Sequence, residues 1–382
     1  MESHNDLYRQ LQRHIDNHMP LRFPETESGI ELDLLKHLFS PEEARVALEI
    51  SSLPESIKTI KKRVKKLNQN DEKLQGVLDN LERKGAILGP KYWNKNGFTK
   101  GSYYSKALFV IGMYEFQAGR LTKNFGELSH TYLKENYIPE TLKNKTMQLR
   151  TIPISKSLTV KNHMASYNSI KDIINRTSHP IVVIPCVCRE SKGLMGTPCK
   201  SGVSETCLIL NDIAEMYIDF GWGRVISKDE ALEIINTAEK KGFVLAPSNN
   251  QNPSHVCCCC SCCCESIANL KQIPKPAKYY HTNFYSSVDA ERCKGCGVCE
   301  KRCPMDAVQV KDDVAHVDTD RCIGCGVCIP TCPDKAITLV DKTQPYLPPK
   351  SESSMYMRLM FERYGVFGLM NILFKYLLKI KL

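Results

Sequence analysis

The chain has 382 residues, 42% apolar and 25% charged, a composition that suits two or three folded domains and excludes wholesale disorder. Its 19 cysteines are too sparse for a small disulfide scaffold, and none precedes Cys186. The net charge of +10 is unevenly spread. Residues 55–100 carry twelve Lys/Arg against five Asp/Glu, 341–382 seven against three, and 285–341 seven against ten, so different regions are expected to face different partners. The start, Met1-Glu2-Ser3-His4-Asn5-Asp6, has no apolar secretory core, which predicts a reducing cytoplasm where thiols stay free or bind metal.

Pro- and Asn-rich stretches at 246–253, 273–276 and 343–354 read as linkers. They divide a multidomain α+β chain into a helical, winged-helix-like region (1–146), a cysteine-rich α/β domain (147–272), a ferredoxin-like module (285–341) and a C-terminal amphipathic helix (351–382). In the first region Ser40-Pro41-Glu42-Glu43 is a capping box that predicts a helix to about Ser51, followed by a helix over 55–67. A third helix, capped by Asn70, carries Leu74, Val77, Leu78 and Leu81 on one face and closes at Lys84-Gly85. Ile87-Leu88, Gly89-Pro90 and Asn96-Gly97 then signal a hairpin. Three helices and a hairpin with a basic surplus suggest DNA. Against that, Asp71, Glu72, Asp79 and Glu82 on the third helix would repel phosphate, and no sequence-specific nucleic-acid binding is expected. The aromatic set Tyr92, Trp93, Phe98, Tyr103, Tyr104, Phe109, Tyr114 and Phe116 reads as packing rather than as a base-stacking platform.

In the second region Tyr167 to Arg176 reads as a helix and Pro180 to Pro185 as a buried strand, followed by helices over 206–219 and from Ser227 to Lys241-Gly242, and by a strand at Phe243-Val244-Leu245. The two strands deliver two cysteine groups. Cys186, Cys188, Cys199 and Cys207 form a C-x-C-x₁₀-C-x₇-C pattern, enough for one tetrahedral metal or one iron–sulfur cube. His255-Val256 leads into seven cysteines in eight positions, of which Cys257, Cys259, Cys260, Cys262, Cys263 and Cys264 are candidate ligands and Cys258 a spare thiol. Adjacent residues of an extended chain point apart, so only part of the run can converge on one centre. The expectation is an additional iron–sulfur cluster or zinc. No Walker loop, dinucleotide fingerprint, His-Glu-x-x-His or nucleophile elbow is present, which excludes a nucleotide partner and the common hydrolase chemistries.

Residues 293–304 read CKGCGVCEKRCP and 322–333 read CIGCGVCIPTCP, offset by 29 throughout. Each is C-x₂-C-x₂-C-x₃-C-P, the run in which three thiolates wrap one [4Fe–4S] cube and the fourth reaches the other. Cys293, Cys296, Cys299 and Cys332 are therefore assigned to one cluster, and Cys322, Cys325, Cys328 and Cys303 to the second. Zinc ribbons would need only four ligands per site and no such internal repeat. On these motifs 285–341 resembles a dicluster [4Fe–4S] ferredoxin module. Nearly the whole chain resembles a group of iron–sulfur proteins in which a winged-helix-like region and a cysteine-bearing middle region precede that module.

From Met355 to Leu382 a helix is expected, broken at Gly365 or Gly368. Its longest uncharged stretch, 364–374, is too short to span a bilayer, which takes about 20 residues. Asn371, Lys375 and Lys379 form a polar strip opposite Val366, Met370, Leu373, Phe374, Leu377 and Ile380, a face suited to peripheral membrane contact or to packing on the protein. Three functional readings follow. The first is an electron-transfer protein serving a redox partner protein. The second is an oxidoreductase, or a subunit of one, with a cysteine-ligated catalytic centre, and the third a redox-responsive DNA-binding regulator.

Overall fold

A computed structural model of the chain describes residues 4–64, 71–159 and 165–382. Helices and strands are mixed along its length, in an α+β architecture. Near the N-terminus, helices His4–Asp16, Ile30–Leu38, Pro41–Ala47, Ile57–Val64 and Asp71–Lys84 enclose a core of Leu11, Leu34, Leu35, Phe39, Ile50 and Leu78. Ser40 caps the third of these as expected: its side chain accepts from Glu43 N, and the Glu43 carboxylate accepts from Ser40 N. The helix ends at Ala47, short of Ser51. The expected extension of the next helix to 67, with Lys65 and Lys66, and the Asn70 cap lie outside the described residues.

Strand Tyr103–Lys106 pairs antiparallel with both Ile87–Leu88 and Glu55–Ser56. Gly89-Pro90 does not turn one strand directly into the next. Proline at the first helical position opens a short helix, Pro90–Trp93, whose Lys91 N–H donates to the Glu82 carboxylate at 2.8 Å. Glu82 is thus an internal acceptor, and burial pushes its carboxyl up to about 7. Three basic side chains of this region are held by acids: Lys61 by Asp71 at 2.9 Å, Lys73 by Glu42 at 2.6 Å and Lys84 by Glu43 at 2.7 Å. Tyr92, Trp93, Phe98 and Tyr103 form a ladder of ring contacts, and Tyr104, Phe109, Tyr114 and Phe116 are buried.

The middle of the molecule is a five-stranded sheet in the order Arg224–Ile226, Ile181–Pro185, Glu205–Ile209, His255–Cys259, Val244–Pro247. Every pairing is antiparallel, so this region is itself α+β rather than α/β. Val182, Ile184 and Ile209 face the N-terminal core, while Ile181, Val183 and Leu208 face a second core shared with Cys322 and Cys325. The helix expected over 206–219 is a strand followed by helix Asp212–Phe220. Cys207-Leu208-Ile209-Leu210 is a short apolar run, which periodicity alone cannot assign, and its place between two partner strands decides for extended chain.

The polar stretch 246–253 is not a linker. Ser248, Asn249 and Asn250 are fully buried in the connection between two sheet strands. Asn249 donates its backbone N–H to Gln148 O and its side-chain amide to Met147 O, each at 2.8 Å, and the Ser248 hydroxyl accepts from Ser254 N. Side-chain amides there satisfy backbone groups that a buried loop would otherwise strand.

In the ferredoxin-like region Phe284–Val288 pairs with Ile337–Asp341, and Val308–Lys311 with Val314–Val317. Helix Glu352–Leu377 bends at Gly365, whose φ of 64° and ψ of −176° a side chain would resist. Its Met360 and Ile372, with Leu382 beyond its end, cluster with Leu53 of the N-terminal region. Arg363 donates to Met19 O and Asp16, and the Tyr376 hydroxyl to Pro54 O.

Asn249→Ala should lower the unfolding free energy by about 1–3 kcal/mol, the cost of leaving a buried carbonyl unpaired, as read by anaerobic denaturant melts. Because Glu82 stays protonated to about 7 in the folded chain but only to about 4.3 unfolded, the folded state binds the extra proton between those values. Stability should therefore fall as pH rises from about 5 to 7, and Glu82→Gln should flatten that slope in the same melts.

Candidate metal centres

Two small cavities open inside the ferredoxin-like region. One is lined by Cys293, Cys296, Cys299 and Cys332, the other by Cys303, Cys322, Cys325 and Cys328. The backbone prepares both. Gly324 has φ +64°, and a Cβ there would sit 2.3 Å from the Phe284 carbonyl oxygen; Gly295, at φ +61°, is as tightly placed against Asp313. Backbone N–H groups point at sulfur: Ala307 N at Cys303 (3.2 Å), Ala336 N at Cys332 (3.3 Å), Ala315 N at Cys293 (3.3 Å) and Ser286 N at Cys322 (3.4 Å). The first pair of bonds repeats at the 29-residue offset. The second repeats crosswise, since Ser286 stands 29 residues before Ala315 while Cys322 stands 29 after Cys293.

These donor sets fit an anionic iron–sulfur cluster. Each offers four thiols around a void, with peptide dipoles placed to stabilise negative sulfur. The two cavities differ in access. Cys296 is exposed, whereas Cys322, Cys325 and Cys328 are all buried, and burial pushes the Cys328 thiol up to about 12. A bare thiolate is costly there, and a bound cation removes the cost.

The eleven cysteines of the middle region are not grouped as they are in sequence. Cys207 stands opposite Cys257 in the sheet register, and alternation brings Cys259 to the same face and turns Cys258 away. Cys186 ends strand Ile181–Pro185 and begins helix Val187–Leu194, which carries Cys188; Cys264 begins helix Glu265–Leu270. Six thiols thereby become neighbours in succession: Cys186 and Cys188, Cys188 and Cys264, Cys264 and Cys259, Cys259 and Cys257, and Cys257 and Cys207. Cys257 and Cys264, each flanked by two thiol donors, are held well below the usual thiol range. Cys199 leaves its sequence group and joins Cys260, Cys262 and Cys263, all four sulfurs lying within 4.8 Å of one another. Strand alternation turns the Cys258 side chain from Cys257 and Cys259, and burial pushes its thiol up.

All six thiols of the first set line a largely apolar cavity of ≈ 160 Å³. Its other walls include Glu115, Tyr114, Tyr137, His255 and Tyr280. Glu115 accepts backbone N–H bonds from Ile111 and Gly112, and burial pushes its carboxyl up to about 8. The loop that donates those bonds holds Ile111 at φ 55°, a costly conformation for a β-branched residue. His255 bonds Ser254 through Nδ1 at 3.0 Å, while its buried Nε2 has no hydrogen-bond partner among the described residues. Tyr280 is buried, lines this cavity and belongs to the same core as Cys325 of the inner ferredoxin-like cavity. The Ile154 N–H donates to Cys325 O at 3.0 Å and ties the same two regions together.

Sequence reasoning did not select Glu115 or Tyr280. The available signal for Glu115 was a lone carboxylate inside the apolar run Phe109 to Phe116, where a charge is costly unless it has a use. Tyr280 carries no local signal, since its position depends on two cysteine groups meeting in space.

Residues 286–337 match the model of the 4Fe-4S dicluster domain family. No curated protein and no solved structure matches the chain. The matched segment contains all eight cysteines of the two small cavities, which supports an iron–sulfur electron-transfer role for this part of the chain.

Proposed function

We propose that the chain is an iron–sulfur electron carrier that passes electrons between a redox partner protein and a metal centre in the thiol-lined cavity. Cys293, Cys296, Cys299 and Cys332 hold one [4Fe–4S] cluster, and Cys303, Cys322, Cys325 and Cys328 the other. Such clusters, when bound, each take up and release one electron at a potential set by burial and hydrogen bonding. The observation that carries the reading is the difference in access along the thiols: Cys296 is exposed, Cys322, Cys325 and Cys328 are buried, and Cys325 shares a buried core with Tyr280 and the cavity cysteines Cys259 and Cys264. The partner docks at the Cys296 end.

A second reading, an oxidoreductase with a cysteine-ligated catalytic centre, is favoured by the cavity itself. Glu115 carries a proton at neutral pH, and His255 Nε2 offers a further polar contact in an otherwise apolar chamber. The DNA-regulator reading gains no such support, because Lys61, Lys73 and Lys84 are engaged by acids of the same region.

The protein works in the cytoplasm, with peripheral membrane contact through its C-terminal helix. No helix among the described residues is long and apolar enough to cross a membrane. Ile372 and Tyr376 turn inward, whereas Phe367 is 87% and Phe374 61% exposed, beside exposed Met370 and Leu377.

Cys299→Ser should cost about four of the eight irons that two cubes contain and perturb one cluster's EPR signal while sparing the other. Two unaltered signals with full iron content would refute the ligand assignment. Flotation with anionic vesicles at low salt tests the helix. Phe367→Asp with Phe374→Asp should weaken binding at least about tenfold, since each ring contributes about 1.5–3 kcal/mol on burial, and should leave the melting curve in place.

A further inference from the structure

The four sulfurs of Cys199, Cys260, Cys262 and Cys263 are closer together than an iron–sulfur cube requires. Cys199 Sγ lies 3.8 Å from Cys260 Sγ and 3.7 Å from Cys262 Sγ, and Cys262 Sγ lies 3.6 Å from Cys263 Sγ. A tetrahedral ion with metal–sulfur bonds of about 2.3 Å separates its ligands by about 3.8 Å. A cube holds its thiolates on four different irons and spreads them farther. The dicluster domain supplies the internal measure: among the described residues, neither of its cysteine quartets brings three sulfurs within 4.8 Å, and each surrounds a void.

We propose that Cys199, Cys260, Cys262 and Cys263 bind a single four-coordinate thiophilic metal ion, zinc or a mononuclear iron, rather than a cube. Four protein thiolates close the coordination sphere and leave no position for a substrate, so the ion is structural. Its surroundings suit a net negative centre. The Arg189 guanidinium lies beside Cys199 and Cys260 and is itself anchored on Thr206 and on Cys258 O. The Ser201 hydroxyl lies 3.1 Å from Cys199 Sγ, a second polar group oriented toward the ligands. Among these residues Cys262 is exposed, Cys199 half-buried and Cys260 and Cys263 buried, and Cys260 also lines the six-thiol cavity, so the ion sits between the surface and that cavity's wall. It joins the loop after helix Val187–Leu194 to the turn that precedes Cys264, and so fixes the segment that brings Cys259 and Cys264 to the cavity wall.

The test is metal and sulfide analysis of the full-length protein purified anaerobically, with EPR of the dicluster domain as a separate readout. Cys262→Ser should lose about one equivalent of metal with no loss of sulfide and with both ferredoxin-type signals retained, while Cys258→Ala should lose none. Cobalt(II) supplied during expression should give the intense visible bands of tetrahedral cobalt thiolate in the unmutated protein, a readout that survives even if the serine variant misfolds. Loss of four irons together with four sulfides in Cys262→Ser would overturn the proposal. So would unchanged metal content, or a cobalt spectrum lacking those bands.

Discussion

The antiparallel register that sets Cys207 opposite Cys257 governs the chemistry of the middle region. Side chains alternate along a strand, so this one pairing sends Cys257 and Cys259 to the cavity and Cys258 to the opposite face. A slip by one residue would exchange them, leaving a single thiol of the strand where two are needed. The register is held from both sides, because His255–Cys259 also pairs with Val244–Pro247, and the buried Ser248-Asn249-Asn250 connection bonds the ends of those strands to the preceding segment. A loop with so many of its polar groups buried resists sliding, since any shift would break several internal hydrogen bonds at once.

Sulfur is managed by two different means in the two halves of the site. In the dicluster domain the thiols stand apart around voids, and peptide N–H groups are aimed at them, so the backbone itself offsets negative charge. In the middle region the thiols are one another's neighbours, and the Arg189 guanidinium lowers the cost of negative charge on Cys186 and Cys257. The apolar lining of the cavity raises the cost of every unpaired charge and gives the strained loop at Ile111 its significance, because its two N–H groups are what hold Glu115 inside.

What could be read from the sequence was whatever is local in the chain. The capping residues Ser40 and Ser227 mark their helices, Gly242 ends one, and the eight cysteines of the dicluster domain announce themselves because a tight turn of a few residues builds most of each site. What could not be read depends on contacts between distant segments. The 205–209 strand looks like the first turn of a helix until its neighbours are known. The Asn-rich stretch at 246–253 has linker composition, yet its amides serve buried carbonyls 100 residues away. The spacing of the two cysteine groups leaves open which thiols share a centre, and the sheet decides it by mixing their members, sending Cys199 to one set and Cys257, Cys259 and Cys264 to the other.

The crosswise bonds of the dicluster domain make its two halves interdependent. Cys332 lines the cavity of the first motif and Cys303 that of the second, while strand Phe284–Val288 pairs with Ile337–Asp341 across the whole module. A polypeptide holding one motif alone would offer three cysteines to a cavity and the fourth to nothing. Two such copies related by a twofold axis would complete each other, in the manner of a domain-swapped homodimer. The 29-residue offset thus relates two halves that each complete the other's site, so neither half of the module can hold its four thiols alone.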